Sequence, residues 1–200
     1  MGLARSWPPV MDAADPATQT APMTKHFLFS ALLVSALSGS AMADDKAKMA
    51  PAKPVTVTLK DAAGKTVGTA KLSPDPAGVK IALSVKGLAP GEHAIHVHET
   101  GKCDAPDFKS AGGHFNPEHK KHGLQSPDGP HAGDMPNFTV DAKGGSTATV
   151  VAPGIKLDDG DHSVFTGGGT ALVIHAKADD LKTDPAGAAG DRVACGLIKK

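Results

Sequence analysis

The sequence predicts an all-β domain: an antiparallel sandwich or barrel of about eight strands with two long loops. Three observations predict it. From residue 54 onward, apolar and polar residues alternate with a period of two, the pattern of a strand that buries one face. Clusters of turn-forming residues separate these runs. The same region carries no convincing helical pattern, so we expect the strands to pack on one another.

The strands follow one another along the chain. Val55, Val57 and Leu59 alternate with polar residues and predict the first strand. Residues 61–64 turn the chain, and 66–72 return as the second arm of a hairpin. The remaining strands are predicted at residues 79–85, 93–98, 138–141, 146–151, 171–175 and 193–198.

Two segments, 99–136 and 176–191, carry no periodic run. A structureless loop as long as the first is uncommon in a compact domain unless something other than an apolar core orders it. The first segment contains Cys103, several histidines and Asp134. We therefore expect a disulfide and a metal to supply the order that this loop lacks.

The N-terminus is typical of a secretory signal peptide. Lys25 and His26 precede an apolar run over 27–37, and an A-x-A cleavage site ends at Ala43. The apolar run is too short to span a membrane as a helix. Because Met23 stands at the natural start of this signal, we expect residues 1–22 to reflect an upstream choice of start codon.

Cleavage after Ala43 divides the chain into three parts. Residues 1–43 are the upstream extension and signal peptide, 44–53 are a charged, Ala-rich and flexible leader, and 54–200 form one domain with one core. The 21 basic and 21 acidic side chains balance, so the chain lacks the broadly basic surface of a nucleic-acid or anionic-membrane binder. We predict an exported protein, in the periplasm.

Export also affects the two cysteines. In an oxidising compartment Cys103 and Cys195 can form one intramolecular disulfide. Two buried thiols or an intermolecular bridge are the alternatives.

Histidines on a predicted strand and in the first loop suggest metal binding. His96 and His98 lie two residues apart on one strand, so their side chains leave the same face and suit a metal with fixed ligands, such as copper(II). His93 and His162 have no such pairing, and we expect structural roles for both.

The first loop carries a second set of donors. His114, His131 and Asp134 together with either His119 or His122 make three imidazoles and one carboxylate, the donor set of a closed zinc site. Spacing alone does not choose between His119 and His122.

Five ordered motifs carry a family resemblance. They are GEHAIHVHE at 91–99, GGHFNP at 112–117, HAGD at 131–134, LVIH at 172–175 and GDRVACG at 190–196. Together they resemble the copper/zinc superoxide dismutases, and the signal peptide fits the secreted bacterial branch. The resemblance implies an eight-stranded Greek-key, immunoglobulin-like fold and one copper and one zinc ion per subunit.

The resemblance also assigns residues. It implies that His122 rather than His119 belongs to the zinc set, that Arg192 docks the substrate, and that Asp179 links His96 to His122. The implied copper ligands are His96, His98, His114 and His175, and the implied zinc ligands are His114, His122, His131 and Asp134.

The implied reaction is the dismutation of superoxide to dioxygen and hydrogen peroxide. Copper alternates between Cu(II) and Cu(I), and His114, supported by zinc, carries a proton. Lys109, Lys182 and Asp184 are further candidates for steering the anion.

The alternative function is a periplasmic copper or zinc buffer, or a metallochaperone, on the same fold. A monomer and a homodimer both remain open.

Overall fold

The predicted alternation becomes a seven-stranded antiparallel sheet in the computed structural model, which describes residues 52–200. The predicted signal peptide and most of the leader lie outside the described residues. Within 52–200 there are nine strands: β1 Val55–Lys60, β2 Thr66–Asp75, β3 Gly78–Lys86, β4 Gly91–His93, β5 Ile95–His98, β6 Phe138–Val140, β7 Gly145–Ala152, β8 Thr170–His175 and β9 Arg192–Ile198. Among these residues, no helix is long and apolar enough to cross a membrane.

The order of strands in the large sheet is β5-β8-β9-β1-β2-β3-β7, and β4 pairs with β6 in a second, small sheet. The crossovers that place β8 beside β5 and β7 beside β3 are Greek-key connections. Because β4 runs into β5 and β6 precedes β7, the small sheet joins the two edges of the large one. The predicted all-β class is therefore confirmed.

The predicted strand at 93–98 is in fact two strands, which raises the count from eight to nine. Ala94 leaves the ladder: its N–H donates to the carbonyl of Lys177 at 2.8 Å, and its carbonyl accepts from the N–H of His175 at 2.9 Å. These bonds to the end of β8 and to the loop after it end β4 and start β5, which pairs with β8. A period-two pattern cannot reveal such a change of partner.

The second strand runs three residues beyond its predicted end, through Pro74 to Asp75. In a sequence, a proline such as Pro74 predicts a turn or the end of a strand, because it has no N–H to donate to the sheet. Here β1 pairs with β2 only as far as Leu72, so Pro74 lies where β2 has a neighbour on one side.

The inward faces of the strands form the main core. Val57 and Leu59 of β1, Leu72 of β2 and Ile81 of β3 are almost fully buried, and Leu72 lies opposite Ile81 in the register. A second, smaller cluster covers the outer face of β8 and β9, with Phe108 and Ala111 of the 99–137 loop packed against it. The first long loop is thus held against the outside of the sheet.

A disulfide between Cys103 and Cys195 fastens this loop, with Cα atoms 5.7 Å apart and a sequence separation of 92. Replacing both cysteines with alanine should lower the free energy of unfolding by about 2–5 kcal/mol, because the cross-link restricts the unfolded chain. Denaturant unfolding of the oxidised protein measures this. The exposed Thr147→Ser substitution is the control and should leave the free energy within about 0.5 kcal/mol. An equally stable double alanine variant would contradict the role of the bridge.

Candidate metal centre

Strand register places three histidines on the outer face of the sheet. His96 and His98 of β5 lie opposite Val173 and Ala171 of β8. His175, at the end of β8, continues the face of Val173, and all three imidazoles are at most 3% exposed. The inward residues of β5 belong to the main core, so the alternation that buries them also orients the histidines.

A junction of three backbone segments brings the first loop to this face. The Val97 N–H donates to the Gly133 carbonyl at 3.0 Å, the Phe115 N–H to the Val97 carbonyl at 2.8 Å, and the Gly133 N–H to the Phe115 carbonyl at 2.9 Å. His114 precedes Phe115 and Asp134 follows Gly133. The junction therefore places both side chains beside β5.

Three imidazoles converge on one carboxylate oxygen. Asp134 Oδ1 lies 2.8 Å from His114 Nδ1, 3.1 Å from His122 Nδ1 and 3.4 Å from His131 Nδ1. The other oxygen, Oδ2, accepts from the N–H groups of Gly123 at 2.9 Å and His131 at 3.0 Å. Only Oδ1 is thus left to face the three rings.

His114 belongs to two groups of donors that could each hold a metal ion. The first group is His96, His98, His114 and His175, and the second is His114, His122, His131 and Asp134; in each, the ligand atoms lie within 4.8 Å of one another. Nδ1 of His114 faces the second group, so Nε2, on the other side of the ring, faces the first.

Asp179 connects the groups from behind. Its Oδ2 lies 2.7 Å from His96 Nε2 and its Oδ1 lies 3.0 Å from His122 Nε2. Because these nitrogens are engaged by Asp179, the Nδ1 atom of each ring is the one that faces its donor group. The carboxylate therefore sets the orientation of one ring in each group.

Burial keeps the four histidines of the first group uncharged at neutral pH. Desolvation lowers the pKa of His114 and of His175 to about 4, and lowers the pKa of His98 well below its ordinary value. Desolvation also lowers the pKa of His96, although the hydrogen bond that its ring donates to Asp179 opposes this shift. Neutral imidazoles offer a lone pair at neutral pH, which is the form that binds a metal.

The second group is electrostatically different. Burial opposes protonation of His122, but the hydrogen bonds to Asp134 and Asp179 outweigh it and raise its pKa to about 9. Burial would raise the pKa of Asp134, yet its hydrogen bonds with His114 and His122 and the nearby ring of His131 hold it far below the usual range. Asp134 is therefore an anion that attracts positive charge to this group.

Several donor atoms lack a hydrogen-bond partner or face another lone pair, and a bound metal ion would satisfy both conditions. Among residues 52–200, the buried atoms His96 Nδ1, His114 Nε2 and His131 Nδ1 have no hydrogen-bond partner. His98 Nε2 and His175 Nε2 lie 3.3 Å apart, while Nδ1 of each ring donates to a carbonyl. Both Nε2 atoms therefore present lone pairs, which repel unless a cation lies between them.

Arg192 lies beside the first group. It opens β9 opposite His175, and its guanidinium donates to the carbonyls of Phe108 and Gly112, both at 2.7 Å. The Gly112 carbonyl also accepts from His98 Nδ1 at 3.0 Å. One carbonyl thus holds both the arginine and a ring of the first group.

A cleft of about 370 Å³ gives solvent access to these groups. Its lining includes His98, His114 and His175 of the first group, His131 of the second, and Arg192. His96 and His122 are fully buried and do not line it. An anion entering the cleft reaches the guanidinium and the first group together.

The structure separates the two residues that spacing could not distinguish. His122 is buried within the second group, whereas His119 is exposed at the rim of the cleft. His93 and His162 belong to neither group. Both rings contact backbone carbonyls: the ring nitrogens of His93 lie 2.7 Å from the carbonyl oxygens of His175 and Ala89, and His162 Nδ1 donates to the carbonyl of Gly154.

The candidate steering residues lie on the surface. Lys109 pairs with Asp107 at 2.8 Å, and Lys182 is exposed. Asp184 accepts from the His122 N–H at 2.8 Å and from Lys121 at 3.1 Å, so its carboxylate also supports the second group. A steering role for these charges stays a prediction.

Three contributors escaped the sequence analysis. Asn137 hydrogen-bonds the backbone of Asp179, Gly133 forms the junction with β5, and Glu99 accepts from the Gly113 N–H at 3.0 Å. Asn137 contacts Asp179, 42 residues away, and Gly133 contacts Val97 and Phe115, 36 and 18 residues away. Local sequence therefore carries no signal for them.

Comparisons with known proteins identify the family. The model of the copper/zinc superoxide dismutase (SODC) family matches residues 66–198. The chain belongs to this family. Superoxide dismutase [Cu-Zn] 1 of Aquifex aeolicus is 55% identical over 138 residues, which are 68% of this chain and 82% of the relative. Superoxide dismutase [Cu-Zn] of Caulobacter vibrioides is 44% identical over 147 residues, 72% of this chain and 84% of the relative.

Solved structures agree with the fold of a copper/zinc superoxide dismutase. A SOD-like protein from Bacillus subtilis superposes with a TM-score of 0.69 at 40% identity, covering 72% of this chain and 97% of that one. The Cu/Zn superoxide dismutase from Brucella abortus gives a TM-score of 0.60 at 32% identity, covering 74% and 100%. The resemblance and the Greek-key class are both confirmed.

Gly133 should be essential for the second group. A methyl group in Gly133→Ala would overlap the Val97 carbonyl oxygen, so the junction must open and carry Asp134 away from the imidazoles. We expect zinc affinity, measured by competition with a chelator, to fall at least tenfold. Gly113→Ala is the control, since its methyl group would meet nothing closer than 3.8 Å. Equal zinc affinity in both variants would contradict this reading of the junction.

Proposed function

We propose that this chain dismutates superoxide to dioxygen and hydrogen peroxide, with one copper and one zinc ion per subunit. The proposed copper ligands are His96, His98, His114 and His175, and the proposed zinc ligands are His114, His122, His131 and Asp134. The observation that carries the proposal is His114, whose two ring nitrogens face two complete donor groups. Membership in the family supports the same activity.

The copper set is built for redox chemistry. When bound, copper supplies the one-electron chemistry because it alternates between Cu(II) and Cu(I), which zinc cannot do. Four neutral imidazoles suit copper. Nε2 of His114 holds a proton when it is not a ligand and releases it to the reduced substrate, while the contacts of Nδ1 keep the ring in place.

The zinc set serves as a support. Three histidines and one aspartate close a four-coordinate site, and closed sites of this kind are structural. The site joins three separated stretches of the 99–137 loop around His114. We propose that zinc both orders this loop and holds the His114 ring at the angle the copper set requires.

Arg192 is proposed to dock the substrate. Its guanidinium stays charged at physiological pH although burial lowers its pKa. Its two carbonyl partners hold it at the cleft beside His175 and His98. A small anion would therefore meet a fixed positive charge next to the copper set.

A metal buffer or metallochaperone on the same fold is the weaker candidate. Storage of copper or zinc requires neither an arginine in the cleft nor a histidine common to two donor groups, and this chain has Arg192 in the cleft and His114 in both groups.

Export is proposed from three observations. The predicted signal peptide, the Cys103–Cys195 disulfide and the bacterial relatives are all consistent with an oxidising compartment outside the cytoplasm. We propose the periplasm. Both a monomer and a homodimer are compatible with the site, since all its residues come from one chain.

The direct test is copper-dependent superoxide decay. The protein loaded with copper and zinc should remove superoxide far faster than the zinc-only protein, and His175→Ala should lose nearly all of this activity. His119→Ala, an exposed histidine at the same cleft, is the matched control and should stay within about twofold. Decay that is independent of copper, or undiminished in His175→Ala, would refute the proposal.

The docking role of Arg192 has its own test. Arg192→Ala should slow dismutation about tenfold and flatten the dependence of the rate on ionic strength, because the attraction it removes is screened by salt. Arg192→Lys should retain part of the rate and part of its dependence on ionic strength. The copper content of both variants should be unchanged. Lys143→Ala removes an exposed charge in the β6–β7 turn as control. Identical rates for Arg192→Ala and the wild type at every salt concentration would exclude docking.

A further inference from the structure

Asn137 clamps the backbone of Asp179. Its Nδ2 donates to the Asp179 carbonyl at 2.9 Å, and its Oδ1 accepts from the Asp179 N–H at 2.9 Å. A side-chain amide presents one donor and one acceptor side by side, so it can pair with both backbone groups of one residue, as a neighbouring strand does. Within residues 52–200, these are the hydrogen bonds that the backbone of Asp179 makes.

The clamp joins the two long loops. Asn137 ends the first loop, three residues after Asp134 and immediately before β6, and Asp179 lies in the second loop, 42 residues further on. The second loop also has its own bonds, such as that from the Asp180 N–H to the Gly187 carbonyl at 2.9 Å. Those bonds shape the loop, whereas Asn137 sets where Asp179 lies relative to the first loop.

The position of Asp179 matters because its carboxylate contacts a ring in each donor group. Oδ2 bonds His96 and Oδ1 bonds His122, and Oδ1 also accepts from the Leu181 N–H at 2.6 Å. All three contacts are short, so a small displacement of the Asp179 backbone would stretch the bonds to both rings at once.

We propose that Asn137 is a positioning residue that couples the two metal sites by fixing Asp179 between His96 and His122. The inference rests on the proposed assignment of the copper and zinc ligands. Removing the clamp leaves both backbone groups of Asp179 unpaired and loosens the carboxylate, so it disturbs both sites although, within residues 52–200, Asn137 makes no hydrogen bond to a proposed ligand. Loss of a partner that orients metal ligands typically lowers metal affinity 10–100-fold.

Asn137→Ala tests the coupling with two measurements besides activity. Zinc affinity, by competition with a chelator, should fall about 10–100-fold. The Cu(II) electron paramagnetic resonance spectrum of the copper- and zinc-loaded protein should change, because His96 is no longer held. Asn137→Asp keeps an oxygen that accepts from the Asp179 N–H, so it should recover part of the zinc affinity and serves if Asn137→Ala fails to fold.

Asn116 provides the matched control. It makes the same kind of clamp, with Nδ2 donating to the Lys120 carbonyl at 2.8 Å and Oδ1 accepting from the Lys120 N–H at 3.0 Å, but entirely within the first loop. Asn116→Ala should leave the copper spectrum unchanged. Wild-type zinc affinity and copper spectrum in Asn137→Ala, or an equal loss of both in Asn116→Ala, would overturn the coupling.

The wild-type protein separates this inference from the proposed function. If it binds both metals but shows no copper-dependent dismutation, the proposed function fails, while zinc affinity and the copper spectrum still decide the role of Asn137. If the wild type is active and Asn137→Ala keeps both metal properties, only the coupling fails.

Discussion

The metal centre depends on the register in which β5 pairs with β8. That register places His96 and His98 opposite Val173 and Ala171, so both histidines project from the outer face of the sheet. A shift by one residue would send the histidines into the main core and Val97 outward. The apolar packing of Ile95 and Val97 therefore stabilises the fold and orients the proposed copper ligands with the same contacts.

Buried charge is the second constraint. Asp134 and Asp179 are almost fully buried, and a buried carboxylate is costly unless hydrogen bonds and positive charge compensate it. Histidine rings and backbone N–H groups supply the hydrogen bonds here, and a bound cation would supply the charge. The centre is consequently a connected network in which His114 belongs to both donor groups.

The long loops are ordered by specific links rather than by periodic packing. The Cys103–Cys195 bridge, the two bonds of Arg192 and the clamp of Asn137 tie them to the sheet or to each other. These links also present the proposed substrate-docking arginine and orient the proposed metal ligands. Structural support and the proposed catalysis thus draw on the same residues.

The sequence by itself determined which faces of the strands are buried, because alternation depends only on the local geometry of the backbone. It also determined that His96 and His98 share a face and that the first loop holds a zinc-like donor set. Spacing left His119 and His122 open; the family resemblance implied His122, and the fold buries it. The break at Ala94 and the pairing of Asn137 with Asp179 were decided by the tertiary structure alone. Each depends on how segments far apart in the chain are brought into contact, and no local pattern encodes that.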